Sequence, residues 1–269
     1  MEKTRPNIRH VEVSEIERFI ANVGERPFRV KQIVEWLWQK HAHSFDEMTD
    51  LSKDLRKQLV EHFTFPALQI DVTQQSEDGT LKTRFRTFDD HLIEGVLIPT
   101  SERKTACVSS QIGCSLSCKF CATGTMDRKR NLNFDEIYDQ VVYINQKSEA
   151  THEKHLSNIV FMGMGEPLMN YHNVLKAIEK ITSPEGLGMS AKRITVSTAG
   201  LVKQIRQLGD DGVKFKLAIS LHAPNDKKRN EVMPINESNN IKSLVEALNY
   251  FYKKTGTEIS FEYILFKDF

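Results

Sequence analysis

Cys114-Ser-Leu-Ser-Cys118-Lys-Phe-Cys121 follows a short strand-like stretch at 105–109, and what comes after it decides the fold. From there on, α and β patterns alternate. Phe134, Ile137, Val141 and Ile144 mark an apolar helical face, a strand run follows at 158–162, and a helix begins near Asn170. Further strands are expected at 192–197, 214–221 and 258–266, with helices near 200–208 and 240–254. Such repetition builds parallel βα units, hence an α/β barrel or part of one. Ligands of these folds gather at the carboxyl ends of the strands. The segments standing there are the cysteine loop, Gly163-Met-Gly165-Glu166-Pro167, Ser197-Thr-Ala-Gly200 and Ser220-Leu221-His222.

Before the cysteines the patterning differs. Residues 1–66 read as helical: Ser14 and Glu17 form a capping-box pattern ahead of Ile16, Phe19, Ile20 and Val23, stopped by Gly24. Val30, Ile33, Val34 and Leu37 mark a second helix. Ser52 opens a third, with Leu55, Leu59 and Phe63 on one side, and Pro66 closes the region. Residues 67–99 switch to period two, with 80–87 and 91–98 flanking an Asp89-Asp90 turn as a hairpin. The expected plan is a helical accessory domain at 1–66, a β-hairpin link at 67–99 and an α/β core at 100–269.

The 269 residues, 39% hydrophobic and 27% charged with a net charge of +1, suit a soluble globular chain and give no global sign of nucleic-acid binding. Locally, Arg103, Lys104, Lys119, Arg128, Lys129 and Arg130 stand against Asp127 alone, a stretch fit for a phosphate backbone or a solvated loop. The N-terminal MEKTRPNIRH has no apolar leader segment, and no run is long enough to span a membrane, so a cytoplasmic protein is expected. Four cysteines confined to 107–121 point to metal or redox chemistry rather than to structural disulfides.

The spacing C-x3-C-x2-C lets one loop present Cys114, Cys118 and Cys121 to three irons of a cubane cluster, leaving the fourth iron open to S-adenosylmethionine (SAM). Phe120 would shield such a cluster from water. A zinc site completed by another ligand, or thiols with no joint role, are the other readings of the same residues. Glu166, in a glycine turn after a strand, suits an ammonium group. Glu94 shares a strand face with Leu92, Val96 and Ile98, so it is paired, protonated, functional or reaching solvent. His222 is either a ligand contact or a hydrogen-bonded strand-end histidine.

Cys107-Val-Ser-Ser-Gln-Ile-Gly-Cys114-Ser-Leu-Ser-Cys118-Lys-Phe-Cys121-Ala-Thr-Gly, Lys129-Arg-Asn-Leu132, Gly163-Met-Gly-Glu-Pro-Leu168, Ser197-Thr198 and Ser220-Leu-His-Ala223 together resemble the RlmN/Cfr family of radical SAM RNA adenine methyltransferases. The likeness runs from the helical region to the last residue, and Pro167 with Ala223-Pro224 is closer to the RlmN branch. It implies a partial (β/α) radical-SAM barrel with a [4Fe-4S] cluster on Cys114, Cys118 and Cys121. It also implies SAM contacts from Gly165, Glu166, Ser197, Ser220, Leu221 and His222. Glu94 would be the proton acceptor, and Cys107 would resolve a covalent enzyme–RNA adduct by forming a disulfide with a second cysteine. The implied reaction is methylation of adenosine carbon 2 in large-subunit (23S) rRNA and in tRNA, with RNA contacts in the accessory domain and an electron donor such as flavodoxin.

One departure tempers that implication. The family continues into a strand that gives an asparagine to SAM and a segment with the methyl-carrying cysteine, whereas no cysteine follows Cys121 here. The expectation is a fragment, unable to complete turnover by itself. The rival functions are a different radical-SAM enzyme, such as the carbon-8 branch, a non-enzymatic iron–sulfur protein with Cys107 as fourth ligand, and an RNA-binding module without chemistry.

Overall fold

The computed structural model describes residues 5–267, so the first four residues and the terminal Asp268-Phe269 lie outside the described residues. Helices α1 (Val13–Asn22), α2 (Phe28–Trp38) and α3 (Lys53–His62) open the chain. They bury the positions that helical spacing selects: Ile16, Phe19 and Ile20, then Val30, Ile33 and Leu37, then Leu55 and Leu59. Ser52 caps α3, its hydroxyl accepting from the Leu55 N–H at 3.1 Å. The box expected at Ser14 and Glu17 is not formed. Helix α1 begins at Val13 behind an extended Glu12, so Ser14 already lies inside the first turn. A real start signal, unread in the sequence, stands further on, where Glu136 accepts from the Asn133 N–H at 2.8 Å.

Strands β1 (Gln69–Gln75), β2 (Leu81–Arg86) and β3 (Leu92–Pro99) form an antiparallel meander, with the hairpin turn at Asp89-Asp90 and Asp90 in the left-handed region. The added strand β1 is exposed along almost its whole length, which is why alternation did not reveal it. β4 (Lys104–Cys107) lies antiparallel to β3, and β5 (Gln111–Ile112) pairs with β6 (Arg130–Asn131) in a separate ladder. Then come α4 (Phe134–His152), β7 (Asn158–Phe161), α5 (Tyr171–Thr182), β8 (Ile194–Thr198), α6 (Val202–Asp210) and β9 (Lys216–Ser220). Helices α7 (Asp226–Val232) and α8 (Ile241–Thr255) precede β10 (Ile259–Glu262).

The strands order as β1-β2-β3-β4-β7-β8-β9-β10 in one eight-stranded sheet. From β4 to β10 every neighbouring pair is parallel. This is the mixed α/β architecture with a largely parallel sheet that the alternating pattern called for. Ile159, Phe161, Ile194, Val196, Leu217 and Ile219 bury one face of its centre, and Ala218 is buried on the other. By contact the chain divides into two compact units. One is Met1–Leu68 with Glu179–Met189, and the other is Gln69–Ile178 with Ser190–Phe269, which holds the entire sheet. No helix among the described residues is long and apolar enough to cross a membrane.

The two serines give a direct check. Ser52→Ala should cost about 1 kcal/mol of unfolding free energy, the usual loss for a helix cap, whereas Ser14→Ala should stay within roughly 0.5 kcal/mol of the parent. Urea unfolding followed by circular dichroism measures both, and a larger loss at Ser14 would restore the box.

Candidate functional site

The β5/β6 ladder pairs Gln111 with Asn131 and Ile112 with Arg130, so residues 113–129 leave and re-enter the fold at one place as a closed loop. Inside it the Cys121 N–H bonds to the Cys118 carbonyl at 3.1 Å, and the Gly124 N–H to the Cys121 carbonyl at 2.9 Å. These turns bring Cys114, Cys118 and Cys121 to the wall of one cavity of about 440 Å³. The loop is held from outside by the Lys119 N–H on the Val232 carbonyl at 3.0 Å, and by an apolar cluster of Cys118, Ala199 and Met233 backed by Leu116 and Phe120. Phe120 lines the cavity and meets the His222 ring edge-on at 4.7 Å. Burial pushes the Cys118 thiol up to about 12, helped by the negative neighbours Cys114, Cys121 and Glu166.

The donor set fits a cluster better than a single ion. Among the described residues no three His, Cys, Asp or Glu side chains converge closely enough to hold one metal. The three thiols instead stand around a space, as several irons sharing three thiolates require. Cys107 is not a fourth member of the set: it lies in β4 between Val96 and Val160 and does not line the cavity. Burial raises its thiol to about 11, although the Met162 N–H favours the thiolate. All four cysteines are free, and no disulfide joins any of them.

Opposite the cysteines stand the strand ends. Glu166 is 3% exposed; one carboxylate oxygen accepts from the Leu168 N–H at 2.9 Å, the other from the Ala199 N–H at 2.7 Å, and Thr198 adds a side-chain bond. Burial without a contacting cation raises its pKa to about 6. A carboxylate offers about four acceptor sites, which leaves room for a further donor from the cavity. The glycines beside it serve the protein rather than a ligand. Gly165 has φ +96°, and a Cβ there would meet the Gln111 Cβ at 2.4 Å, because Gln111 packs flat on the turn and its side-chain carbonyl accepts from the Glu166 N–H at 2.9 Å. Ser197 and Ser220 donate at 2.8 and 3.1 Å to one oxygen of Glu262. His222 is buried, which lowers its pKa and keeps the ring neutral, and its Nδ1 accepts from the Ile264 N–H at 3.3 Å.

Of the residues selected from the sequence, the cavity thus gathers Cys114, Cys118, Cys121, Gly165, Glu166, Ser197, Ser220 and His222. Leu221 stays outside; its N–H bonds to the Glu262 carbonyl at 3.0 Å. Glu94 also stays outside, and the face it shares proves to be the open one, with Leu92 37% and Ile98 40% exposed. Its carboxylate pairs with Lys82 at 2.8 Å. Only its backbone approaches the site, the Glu94 carbonyl accepting from Ser109 Oγ, which in turn accepts from the Met164 N–H. The basic stretch also divides. Lys104 is buried and donates to the Thr100 carbonyl, and Arg130 is locked between Asp89 and Glu136, which leaves Arg103, Lys119, Arg128 and Lys129 exposed.

Two residues at the site escaped the sequence reading. Glu262 closes the hydroxyl pair from the end of β10; the expected strand ran on to 266, which put Glu262 in its middle and hid it, whereas β10 ends at that residue. Arg229 gave no signal at all, because α7 is short and buries nothing else.

Comparison with known proteins agrees with this geometry. Residues 6–65 match the family model of the ribosomal RNA large subunit methyltransferase N-terminal domain, and residues 108–268 match that of the radical SAM superfamily. A "Probable dual-specificity RNA methyltransferase RlmN" of Cytophaga hutchinsonii is 56% identical over 96% of this chain and 71% of its own length. A "Dual-specificity RNA methyltransferase RlmN" of Anaeromyxobacter is 44% identical over 97% of this chain and 70% of its own. The crystal structure of a radical SAM methyltransferase from Sphaerobacter thermophilus superposes with a TM-score of 0.90 at 39% identity, covering 98% of this chain and 77% of that one. The chain belongs to the RlmN family of radical SAM RNA methyltransferases.

Proposed function

We propose that this chain holds a [4Fe-4S] cluster on Cys114, Cys118 and Cys121 together with SAM, and belongs to an enzyme that methylates carbon 2 of adenosine in 23S rRNA and in tRNA, in the cytoplasm, the methyl-carrying cysteine not being among these 269 residues. The observation that carries this reading is one cavity in which three thiols face a buried carboxylate and a pair of hydroxyls, in a chain of this family. The chemistry a bound cluster would supply is one-electron cleavage of the SAM sulfonium bond, fed by a donor such as flavodoxin. Carbon 2 of adenine is not nucleophilic, so it calls for that radical route rather than direct methyl transfer.

The residues take the following roles. Glu166 receives the SAM ammonium at the acceptor site its backbone contacts leave open, and Gly165 lets the turn close on Gln111 to aim it. Ser197 and Ser220 present hydroxyls, His222 presents a neutral ring, and Leu221 contributes through its backbone. Cys107 is the resolving thiol: it forms a disulfide with the methyl-carrying cysteine, whose bond to the RNA-linked carbon breaks, and that second cysteine is not one of the four in this sequence. Glu94 accepts the proton lost from the base, and reaching the base requires its contact with Lys82 to open. The target adenine enters unstacked, since a buried site cannot act on a stacked base. Carbon 2 rather than carbon 8 follows from Pro167 and Ala223-Pro224, which resemble the RlmN branch. The non-enzymatic rival with four cysteine ligands is disfavoured by the position of Cys107 in β4, away from the cavity wall.

Reconstituted without oxygen, the chain should bind about four irons and four sulfides. Cys118→Ala should lose most of them and Cys107→Ala should not; equal loss in the two would favour the four-cysteine protein. In the host's own gene, Cys118→Ala should remove 2-methyladenosine from digests of rRNA and tRNA by mass spectrometry. Loss of 8-methyladenosine instead would assign the other branch.

Glu166 gives a pH signature. Its folded pKa of about 6 exceeds the ordinary 4.5, so the folded state holds this proton more tightly than the unfolded one. The stability it contributes is full below 4.5 and is lost as pH rises through 6. A bound ammonium reverses the preference, so SAM affinity should climb about tenfold per pH unit toward 6 and level off above it. Isothermal titration should show Glu166→Gln binding weakly with a flat profile; an unchanged profile would remove Glu166 from the ammonium site.

For RNA, charge reversal at the exposed Arg128 and Lys129 should weaken binding of a 23S rRNA fragment. It should also flatten the dependence of log K on log[salt] by roughly 0.7–0.9 for each phosphate that is no longer neutralised. Unchanged slopes would place the RNA elsewhere.

A further inference from the structure

Arg229 is the largest side chain that the fold buries completely, at 0% exposure. Its guanidinium donates to the carbonyls of Ala199 at 2.6 Å, Ser220 at 3.1 Å, Leu221 at 3.2 Å and Asn239 at 3.4 Å. It donates also to Asn236 Oδ1 at 2.6 Å. Among the described residues none of these partners is a carboxylate. Asp226 is exposed and stands behind Asn236, whose amide donates to it at 2.9 Å. The N–H groups are therefore satisfied by dipoles, while the charge itself has no counter-ion in contact. A buried cation in that state is costly unless negative groups lie within its field, and two do: Cys118 first, then Asp226.

Apart from Asp226, the contacts of Arg229 lead to the cysteine loop. Ala199, which Arg229 grips by its carbonyl, packs against Cys118, and so does Met233, whose N–H bonds to the Arg229 carbonyl at 2.7 Å. The cysteine loop itself hangs on the next residue back, through Lys119 and Val232. Among the influences on the Cys118 thiol, Arg229 is the one positive charge, opposing burial and three negative neighbours.

We propose that Arg229 is an electrostatic positioning residue for the cluster, its buried charge offsetting the negative charge of the thiolates and setting the potential at which the cluster accepts an electron. This rests on the cluster reading given above. The step concerned is the transfer of one electron from a low-potential one-electron donor to the oxidised cluster. No bond forms or breaks, and the site gains one negative charge. A fixed cation in a low-dielectric wall favours that gain, so its loss drives the midpoint more negative.

The test is an anaerobic redox titration of the reconstituted full chain without SAM, followed by the electron paramagnetic resonance signal of the reduced cluster. Arg229→Gln should lower the reduced-to-oxidised ratio at a fixed potential about tenfold, a shift of about 59 mV for a one-electron couple. Arg229→Lys, which keeps the charge, should remain within about threefold of the parent. Asn236→Asp keeps Arg229 and sets a carboxylate on it, so it should shift in the same direction as Arg229→Gln. That variant serves if Arg229→Gln does not fold. A parent chain with no reducible four-iron signal would overturn the cluster reading itself. A parent-like midpoint in Arg229→Gln or Asn236→Asp, or an equal shift in Arg229→Lys, would overturn the role of Arg229 alone.

Discussion

The site depends on one interaction, the buried Glu166 carboxylate bridging two backbone N–H groups. One oxygen holds Leu168, just past the turn that follows β7, and the other holds Ala199, just past β8. Neighbouring parallel strands in a twisted sheet would otherwise send their following loops apart. With this bridge the glycine turn and the Ser197–Gly200 segment form one surface, and Cys118 packs on Ala199 at its edge. A neutral glutamine could accept only one such bond through its carbonyl and would set an amide donor against the other N–H. The raised pKa is the cost of burying an ion for this purpose.

Arg229 complements that carboxylate from the other side of Ala199. Glu166 takes the Ala199 N–H and Arg229 takes its carbonyl, so a single peptide segment is gripped by a buried anion and a buried cation that do not touch each other. Separate buried charges, each satisfied by backbone dipoles, keep their fields instead of cancelling them. A salt bridge between the two would be cheaper to bury and would leave a cavity wall without polarity. The fold thus presents a negative group where an ammonium is to be received and a positive one beside the thiols.

Much of this was legible in the sequence, for reasons that differ from one element to the next. The parallel strands could be read because short apolar runs end in polar turns and alternate with helical patterns. The cavity wall could be read because barrel-like folds collect their loops at one end, and chemistry-bearing residues recur at each strand end. Glu94 could not be resolved: alternation tells which residues share a face but not which face is covered, and here the apolar neighbours Leu92 and Ile98 lie on the open side. Ser14 shows the same limit for caps, since the chain turns helical directly after Glu12, two residues too early for the serine to cap it. Arg229 was invisible because its partners are mostly carbonyls, which every residue has.

The division of the basic stretch follows from strand polarity. Arg103 and Lys104 stand at the amino end of β4, whereas the cysteine loop leaves from the region beyond its carboxyl end, so cations adjacent in sequence are separated by the length of a strand. Arg130 opens β6 and is held there by Asp89 from the hairpin turn and Glu136 from the first turn of α4, with Phe88 stacked on it at 4.8 Å. Those contacts hold Asp89 well below the usual carboxylate range, mainly through hydrogen bonds from Arg130. The charge at 130 therefore closes the cysteine loop and ties it to the meander. Arg128 and Lys129, two and one residues before it, are left exposed on the outer rim of the same loop. One short run of cations does two jobs, and burial rather than sequence position decides which residue does which.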